Sequence, residues 1–540
     1  MASDLQKGVN IKVQPRSGFD KSRKNILTTK VGTLTPILSD LVIPNSDISI
    51  KMAISAQLPP LSSDTFMRCS LKVEAFFCPL RILYGGFESW LTGYEMYSVT
   101  NANTASAFRA ALPRVAVPYA DIALVGAGTL SDYLGVHMND AWTLDQTLTY
   151  YLNAFPYLAY HRIYDDWYRN TKIQTPVFIR PGGPASTSTY FKLRTCPFQA
   201  FSSITDLSLT STFQDGVALG SLRQRNFGVD YFTSATPTAQ KGSAMTVGVS
   251  GNAFSIAALR SANSIQQWEE LQNLTGARIQ DYVLANYGAH LSGGVAQRAI
   301  YLGSADYPVY SKGIYATADP GQSGSQNNNP FGTVGAKYGA AYASGTDFVV
   351  KGHFDEPGIL MLLVSLVPEV NYSSGVSPLM MRFTQSGSQT DLPTPMLQNV
   401  GNEPIATSEL DTYSGVRQPD ASVAGTIFGY VPRYTWFKTG QNEVHGLLLD
   451  GESLESFVAQ RSFGVGTPTI NSNFLAIPTN FLDQVTLVSQ QLSSYGCWID
   501  SYIQYYVSMP LAQYSVPSLQ NPAYEHGVNV HLQNNGSKID

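Results

Sequence analysis

Histidine, aspartate and aromatic side chains are concentrated in the stretch NAFPYLAYHRIYDDWYRN, residues 153–170. A histidine beside two carboxylates could perform general acid–base catalysis or bind a metal ion. His161 and Asp165 are four residues apart, as are Arg162 and Asp166, so on a helix each pair lies side by side. Such surface pairs stabilise a helix by about 0.2–0.5 kcal/mol each. Because no third or fourth ligand can be nominated, the spacing favours a structural helix over a metal or acid–base site.

The apolar residues of this stretch recur at spacings of three and four, which predicts a helix with one buried side. They are Leu152, Phe155, Ala159, Ile163 and Trp167. Asn153 is the predicted N-cap, and Pro156 is tolerated in the first turn. We therefore expect a helix wedged among neighbouring elements.

Other catalytic signatures are missing from the sequence. No GxxxxGK[ST], GxSxG, HExxH or EF-hand pattern occurs. The paired carboxylates Asp165/Asp166 and Glu269/Glu270 are adjacent in sequence, so on a helix they point in different directions. We predict no catalytic residue, no metal site and no cofactor, and hence no enzyme, although an active site built from distant residues stays open as an alternative.

Composition indicates a chain with extensive protein contacts. Of its 540 residues, 44% are hydrophobic and only 14% charged, against roughly 25% charged in typical soluble proteins. The many glycines, prolines, tyrosines and phenylalanines are typical of β architecture with long loops. We expect much of the surface to be buried against other chains.

Charge is unevenly distributed along the chain. The net charge is −5, but residues 1–30 contain seven cations and two anions, which gives this segment +5 and the remainder −10. The segment is polar and has little apolar periodicity, so we predict a basic N-terminal arm with little globular structure of its own.

Cysteine spacing and apolar runs exclude two further classes. Four cysteines without CxxC spacing predict neither a disulfide framework nor a metal cluster, and a reducing compartment is the simpler expectation. The N-terminus has no apolar signal region. The longest apolar run, GILMLLVSLV at 358–367, is too short to span a bilayer, and we expect it to be a buried strand.

Period-two alternation at both ends of the chain predicts an antiparallel sandwich. Residues 48–58 and 66–78 alternate apolar and polar side chains, and residues 498–509 do the same. Strands at opposite ends of a chain must find partners, and a Greek-key sandwich satisfies their edges.

The middle of the chain combines predicted helices with predicted loops. SIQQWEELQNL, residues 264–274, opens with a capping-box spacing at Ser264 and Gln267, and RIQDYVLANYG predicts a helix stopped by Gly288. Turn-rich and low-complexity segments at about 181–225 and 311–345 are predicted surface excursions, and one or the other is expected to contribute to host contact. The predicted organisation is an arm at 1–30 and one domain at 31–540, with insertions between about 80 and 480.

Several motifs, in a fixed order, resemble the major capsid proteins of the Microviridae, the small single-stranded DNA phages, and in particular their gokushovirus branch. They run from about residue 16 to about 510 and include the stretch at 153–170. The others are VGTLTPILSDLVIPNSDISIKM, MRCSLKVEAFFCPLRILYGGFESWLTG, NFGVDYFTSATPTAQKG, KGHFDEPGILMLLVSLVPEVNYSSGV and FGYVPRYTWFKTGQNEVHG. One departure is that only SAMTVGVSGNA follows Gly242, where gokushoviruses usually carry a long insertion.

The resemblance implies a fold, an assembly and partners. The implied fold is mainly β, an eight-stranded antiparallel jelly roll of viral capsid type with long inserted loops and helices. The implied assembly is sixty copies in a T=1 icosahedral shell around circular single-stranded DNA, made in the host bacterial cytoplasm. Implied partners are the subunit itself, the DNA genome, a small basic DNA-binding protein, a DNA pilot protein and a receptor on the bacterial host.

A shell of net-negative subunits needs local cations to hold a polyanion. The arm supplies them along an extended segment, with an aromatic ring that could stack on bases. The predicted nucleic-acid-binding residues are Lys7, Lys12, Arg16, Phe19, Lys21, Arg23 and Lys24. The alternative is that the arm is a solvated terminus or clamps a neighbouring subunit.

A β-sandwich of this composition is also compatible with a carbohydrate- or surface-binding protein such as an adhesin or lectin. A secreted lectin has no use for a polycationic N-terminus and would normally carry a signal peptide. The sequence therefore favours the structural shell protein.

Overall fold

The computed structural model describes residues 16–62, 65–84, 87–92, 96–101, 104–108, 112–118, 124–136, 149–177, 206–243, 256–276, 278–291, 298–316, 337–382, 392–413, 415–463, 468–486 and 496–513. Two antiparallel sheets dominate them. The six-stranded sheet has the order β1 (Ser17–Asp20), β17 (Cys497–Met509), β4 (Ser46–Gln57), β13 (Lys337–Phe354) and β12 (Tyr310–Ala316), and β2 (Arg23–Thr29) also pairs with β17. The four-stranded sheet has the order β11 (Ile300–Pro308), β5 (Cys69–Pro79), β14 (Gly358–Pro368) and β3 (Thr35–Val42).

Smaller elements surround these sheets. The remaining strands are β6 (Met96–Asn101), β7 (Thr104–Phe108), β8 (Arg114–Pro118), β9 (Thr149–Asn153), β10 (Asp206–Ser208), β15 (Asn402–Ala406) and β16 (Ile427–Pro432). The helices are α1 (Leu80–Leu83), α2 (Phe87–Thr92), α3 (Leu130–Tyr133), α4 (Phe155–Ile163), α5 (Ile256–Leu274), α6 (Ile279–Tyr287), α7 (Pro378–Met381), α8 (Thr407–Leu410), α9 (Thr435–Lys438) and α10 (Ser472–Leu475). A π-helical segment, Tyr164–Tyr168, continues α4, and short 3-10 turns occupy Pro395–Leu397, Gly446–Leu448, Glu455–Phe457 and Asp483–Val485.

The two large sheets face each other across the main core. Strands β3, β4 and β5 alternate between them, since β3 and β5 lie in one sheet and β4 in the other, an arrangement typical of Greek-key sandwiches. The early and late strands predicted from alternation are direct neighbours, with Met52 opposite Ile503. Both side chains are buried between the sheets. The predicted mainly-β antiparallel sandwich with long insertions is confirmed. The strand count of eight stays a prediction, because the two sheets contain ten strands among the described residues.

The four-stranded sheet is buried on both faces. Leu360 and Leu362 of β14 point into the main core, whereas Ile359, Met361 and Leu363 pack in a second core. This explains why the apolar run at 358–367 does not alternate with polar residues. The second core is formed with α1, α4 and the small sheet β8–β10; we call these elements, together with the loop 209–225, the outer layer.

A polar contact also fixes the outer layer to the four-stranded sheet. Glu74 of β5 points toward the outer layer, away from the main core, and its Oε2 accepts hydrogen bonds from Arg225 Nη1 and the Tyr168 hydroxyl, both at 2.5 Å. Arg225 also donates to Ser365 Oγ of β14 at 3.2 Å. A partly buried carboxylate needs such partners because an unpaired charge away from water is destabilising.

Residues 17–29 differ from the predicted unstructured arm, because they form β1 and β2 along β17. Leu27 lies opposite Ile499, and Thr29 lies opposite Cys497. Leu27 and Thr29 are both buried. Buried and exposed side chains therefore alternate over residues 27–29, although the segment as a whole is basic. The division of the chain at residue 30 stays a prediction, and residues 1–15 lie outside the described residues.

The described parts of the two predicted surface excursions form packed or regular structure, and the excursions themselves stay a prediction. In 206–225, Leu209, Phe213 and Leu219 belong to the second core. In 337–345, the chain forms the first half of β13, where small residues make room for larger neighbours: a Cβ on Gly345 would lie 2.2 Å from the Tyr307 ring. The turn-rich composition of both segments is typical of loops and does not indicate this packing. Residues 181–205 and 317–336 lie outside the described residues.

The predicted helices are confirmed in type but not always in their ends. The second ends as expected at Gly288, which adopts the left-handed conformation with φ +65°. The first begins at Ile256, so Ser264 is an interior residue and not an N-cap. Among the described helices, none is long and apolar enough to cross a membrane.

Truncating the outer side of β14 tests the double burial of this sheet. Met361→Ala should lower the free energy of unfolding by about 2–5 kcal/mol, because it leaves a cavity in the second core. Lys51→Ala on the exposed face of β4 should change it by at most about 0.5 kcal/mol. Urea unfolding of the unassembled subunit measures both. Equal and small effects would contradict the assignment.

Candidate nucleic-acid interface

His161 is a buried structural residue with both ring nitrogens occupied. Arg223 Nε donates to His161 Nδ1 at 2.9 Å, and His161 Nε2 lies 2.9 Å from the Leu219 carbonyl oxygen. The ring is therefore neutral with its proton on Nε2, because Nδ1 accepts. Burial, and then the charge of Arg223, hold the pKa of His161 well below its ordinary value of 6.5. The predicted pairing of His161 with Asp165 is wrong.

Arg223 joins the loop of the outer layer to α4. It forms an ion pair with Asp215, and its guanidinium lies over the Tyr164 ring at 4.9 Å. Its backbone N–H donates to the Tyr160 hydroxyl, which in turn donates to the Leu34 carbonyl oxygen. The cluster is a packed junction with no open side toward solvent, since His161 is fully buried and Arg223 nearly so.

The two adjacent aspartates have separate partners. Arg162 Nε donates to Asp166 at 2.8 Å, which confirms the predicted i, i+4 pair, and Asp166 also accepts from the Ala299 N–H at 2.9 Å. Asp165 pairs instead with Arg169 at 2.5 Å. Both carboxylates are buried, so these are interior ion pairs and not the surface pairs predicted from spacing.

The start of α4 also differs from the prediction. The helix begins at Phe155 with Ala154 as N-cap, and the Asn153 side chain accepts from the Phe155 N–H at 3.0 Å. The described residues contain no group of three or more histidine, cysteine or acidic side chains that could hold a metal ion. The stretch 153–170 is therefore a packing element, and its histidine and aspartates are bonded to neighbouring residues.

The described residues of the predicted DNA-binding arm lie beside the C-terminal half of β17, residues 502–509. Arg16 pairs with Asp47 and Lys21 with Asp40, while Lys24 pairs with Asp500 at 3.0 Å. Arg23 is exposed and has no acidic partner among the described residues. Lys7 and Lys12 lie outside the described residues.

Aromatic side chains line the solvent side of the six-stranded sheet. Trp498, Tyr502 and Tyr506 are 38%, 48% and 53% exposed and occupy every fourth position of β17, which places them about 13 Å apart along one face. Tyr342 and Trp498 lie on opposite sides of Gln57, and Tyr310 lies opposite Tyr342. We call this surface the aromatic face.

Lysines are interleaved with these rings. Lys24 lies opposite Tyr502, and Lys351 is separated from Tyr506 by Ser49 alone. Lys51 lies opposite Gln504. Within the described part of the chain, Lys51 and Lys351 have no acidic partner. Rings that can stack on bases, beside cations that can contact phosphates, are the combination that binds single-stranded nucleic acid.

A groove of about 860 Å³ lies at one end of the aromatic face, beside the arm. Phe19 and Tyr506 line it together with Lys351, Asp47 and His353. Phe19 is half-buried and packs partly against the main core. His353 Nδ1 lies 2.6 Å from Asp47. This hydrogen bond raises the pKa of His353 and lowers that of Asp47.

The aromatic face is not among the features predicted from the sequence. The alternation of residues 498–509 predicts that Ile499, Ile503, Tyr505 and Val507 share one face, but it does not indicate that rings occupy the opposite face. The signal was available, because three aromatic residues occupy outward positions where polar side chains normally occur.

Comparisons with known proteins give one consistent family. A family model described as "Capsid protein (F protein)" matches residues 9–254 and 250–519. The chain is similar to capsid protein VP1 of Chlamydia phage 1, at 24% identity over 94% of this chain and 96% of that protein. It is also similar to capsid protein VP1 of Bdellovibrio phage phiMH2K, at 22% identity over 93% and 95%, and of Spiroplasma virus 4, at 19% over 94% and 96%.

Acid should destabilise the subunit through His161. Its folded-state pKa is depressed, so below about pH 6.5 the unfolded chain binds a proton that the folded chain does not, and stability falls as pH falls. Replacing His161→Gln should reduce the slope of unfolding free energy against pH, between about pH 6.5 and 5, by up to about 1.4 kcal/mol per pH unit. His290→Gln, at an exposed position, is the matched control for the loss of a histidine. Identical slopes in wild type and His161→Gln would contradict the buried neutral histidine.

Proposed function

Because the chain belongs to the capsid protein (F protein) family, we propose that it is the major shell subunit of a small single-stranded DNA phage and assembles as sixty copies in a T=1 icosahedral shell. The family match carries the proposal, since it extends over nearly the whole chain and not over one motif. A capsid protein self-assembles into a shell and is a component of the virion. It is structural, so the prediction that the chain is not an enzyme is confirmed by the family.

Packaged DNA is held, in this proposal, by the aromatic face together with the arm. A net-negative subunit needs local cations, and Lys51 and Lys351 provide them between rings that are open to stacking. The arm enters beside this face, since Arg16 bonds to Asp47 and to the Ser508 carbonyl oxygen at its rim. The described part of the arm therefore begins at the edge of the surface proposed to bind DNA.

The seven predicted arm residues contribute unequally to this proposal. The cations Arg16, Lys21 and Lys24 are neutralised by aspartates of β4, β3 and β17, respectively, so their main effect is to fasten the arm to these three strands. Lys7, Lys12 and Arg23 carry the proposed phosphate contacts. Phe19 forms a wall of the groove where a base would enter.

The remaining partners are proposed from the resemblance. They are a small basic DNA-binding protein and a DNA pilot protein of the same virus, with assembly in the host bacterial cytoplasm. We assign the contact with a host receptor to the turn-rich segments 181–205 and 317–336. Deleting residues 320–335 should spare shells and reduce adsorption to host cells; failed assembly with normal adsorption of residual particles would contradict this.

Purified full-length chain tests the shell directly. We expect pentamers or closed shells of uniform diameter by negative-stain microscopy and sedimentation, because a capsid subunit closes through heterologous contacts around symmetry axes. A discrete small oligomer that binds a glycan would instead support the adhesin or lectin alternative.

Charge removal tests the proposed phosphate-binding cations. The triple variant Lys7→Gln/Lys12→Gln/Arg23→Gln should lower the slope of log K against log salt for a single-stranded oligonucleotide by about 2, because each phosphate that the protein no longer neutralises reduces the slope by about 0.7. Lys241→Gln/Arg260→Gln/Lys438→Gln removes three exposed cations elsewhere and should leave the slope unchanged. Equal slopes in the two triple variants would contradict the assignment.

A further inference from the structure

Three aromatic rings lie at equal intervals along β17. Trp498, Tyr502 and Tyr506 are exposed on the solvent side of the sheet, and each is four residues from the next. Because an extended strand advances about 3.3 Å per residue, neighbouring rings start about 13 Å apart. The three rings together cover about 27 Å of the strand. We call these three residues the ring column.

The other rings of the aromatic face are unevenly spaced. Tyr342 is two strands away from Trp498, which separates them by about 10 Å, and Tyr310 lies on the next strand, only about 5 Å farther. Side chains directly opposite each other on neighbouring strands touch, so no base fits between Tyr310 and Tyr342. A polymer with a regular repeat therefore matches the rings along β17 and not the rings across the sheet.

An extended nucleic-acid strand has a repeat that fits the ring column. A base-stacked strand rises about 3.4 Å per nucleotide, and full extension roughly doubles this value to about 6.5 Å. Two extended nucleotides therefore cover about 13 Å, the interval between neighbouring rings. In this register every second base reaches a ring, and the base between them has no ring of its own.

The charges beside the ring column agree with this repeat. Lys51 of β4 lies level with the midpoint between Tyr502 and Tyr506, where the phosphates of the unstacked nucleotide would pass. In the other interval of the column, Asp500 pairs with Lys24 at 3.0 Å. The acid in that interval is therefore neutralised and does not repel a phosphate.

Small side chains leave space beside the rings on the β4 side. Ala53 lies opposite Tyr502, and Ser49 lies opposite Tyr506. Neither side chain is large enough to cover the face of the ring next to it. A base can therefore approach these two rings from the side on which Lys51 lies.

We propose that the ring column is a track for one extended single strand of nucleic acid, which runs along β17 and stacks every second base on Trp498, Tyr502 and Tyr506. The inference rests on the proposed DNA binding by the aromatic face, and it adds the direction and the repeat of the bound strand. Contact with all three rings takes about five nucleotides, within the range of about 4–16 for single-strand binding folds. The track does not read sequence, because every base has a face that can stack.

Two heptanucleotides with the same length, charge and base content test the repeat. Each carries three thymines and four abasic sites. The thymines occupy positions 2, 4 and 6 in the spaced oligonucleotide and positions 3, 4 and 5 in the clustered one. The spaced bases can reach three rings, whereas only the first and third clustered bases can reach two rings about 13 Å apart.

The spaced oligonucleotide should bind the unassembled full-length subunit at least about fivefold more tightly than the clustered one, measured by fluorescence anisotropy, because it gains one stacked base. Trp498→Leu leaves two rings on β17, which both oligonucleotides can engage, so the difference should disappear. Tyr413→Leu removes a ring that is 62% exposed outside the aromatic face and should preserve the difference.

Equal binding of the two oligonucleotides by the wild-type subunit would overturn the track and leave DNA binding by the aromatic face standing. A difference that persists in Trp498→Leu would also overturn it, since the third ring would then contribute nothing. Failure of unmodified heptathymidylate to bind the wild-type subunit would instead count against the proposed DNA binding itself, and the track would fall with it.

Discussion

The burial of the four-stranded sheet on both faces is the constraint on which the rest of the subunit depends. A two-sheet sandwich needs only one covered face on each sheet, but β14 is apolar toward both sides and cannot be left open to water. The outer layer exists to cover it. Helix α4 is consequently a core element although it lies outside the sandwich, and its histidine and aspartates become interior groups.

Interior polar groups then require partners, and the outer layer supplies them in pairs. Arg223 donates to His161 and pairs with Asp215. Arg169 pairs with Asp165, and Arg225 pairs with Glu74 of the four-stranded sheet. Removing one member of such a pair leaves an uncompensated buried charge, which is far more destabilising than the pair is stabilising. The same groups that suggest catalysis in the sequence are therefore unavailable for it. Among the described residues, no comparable layer covers the six-stranded sheet, and its outward rings and lysines are exposed.

The sequence predicted the sandwich because period-two alternation depends only on which face of a strand is buried. Local sequence also predicts the end of α6 at Gly288, because a residue without a Cβ readily adopts the left-handed conformation at a helix end. Sequence spacing failed where tertiary contacts decided the outcome. His161 accepts a hydrogen bond from Arg223, 62 residues away, and does not pair with its helical neighbour Asp165. The low-complexity composition of 337–345 concealed a strand because its small residues are complementary to Tyr307, which local sequence cannot reveal. The exposure of Ile265, Trp268 and Leu271 on α5 could not be predicted either, since apolar periodicity does not determine which side of a helix packs against the chain.

In the proposed shell, the four-stranded sheet is wholly structural and the six-stranded sheet presents its open face to the genome. A cryo-microscopy map of the DNA-filled particle tests this most directly. We expect the aromatic face to line the inside of the shell, with nucleic-acid density within stacking distance of Tyr502 or Tyr506, and the four-stranded sheet to remain covered by its own outer layer. A map that places the aromatic face on the outer surface, or buries it against a neighbouring subunit without nucleic-acid density, would contradict the account.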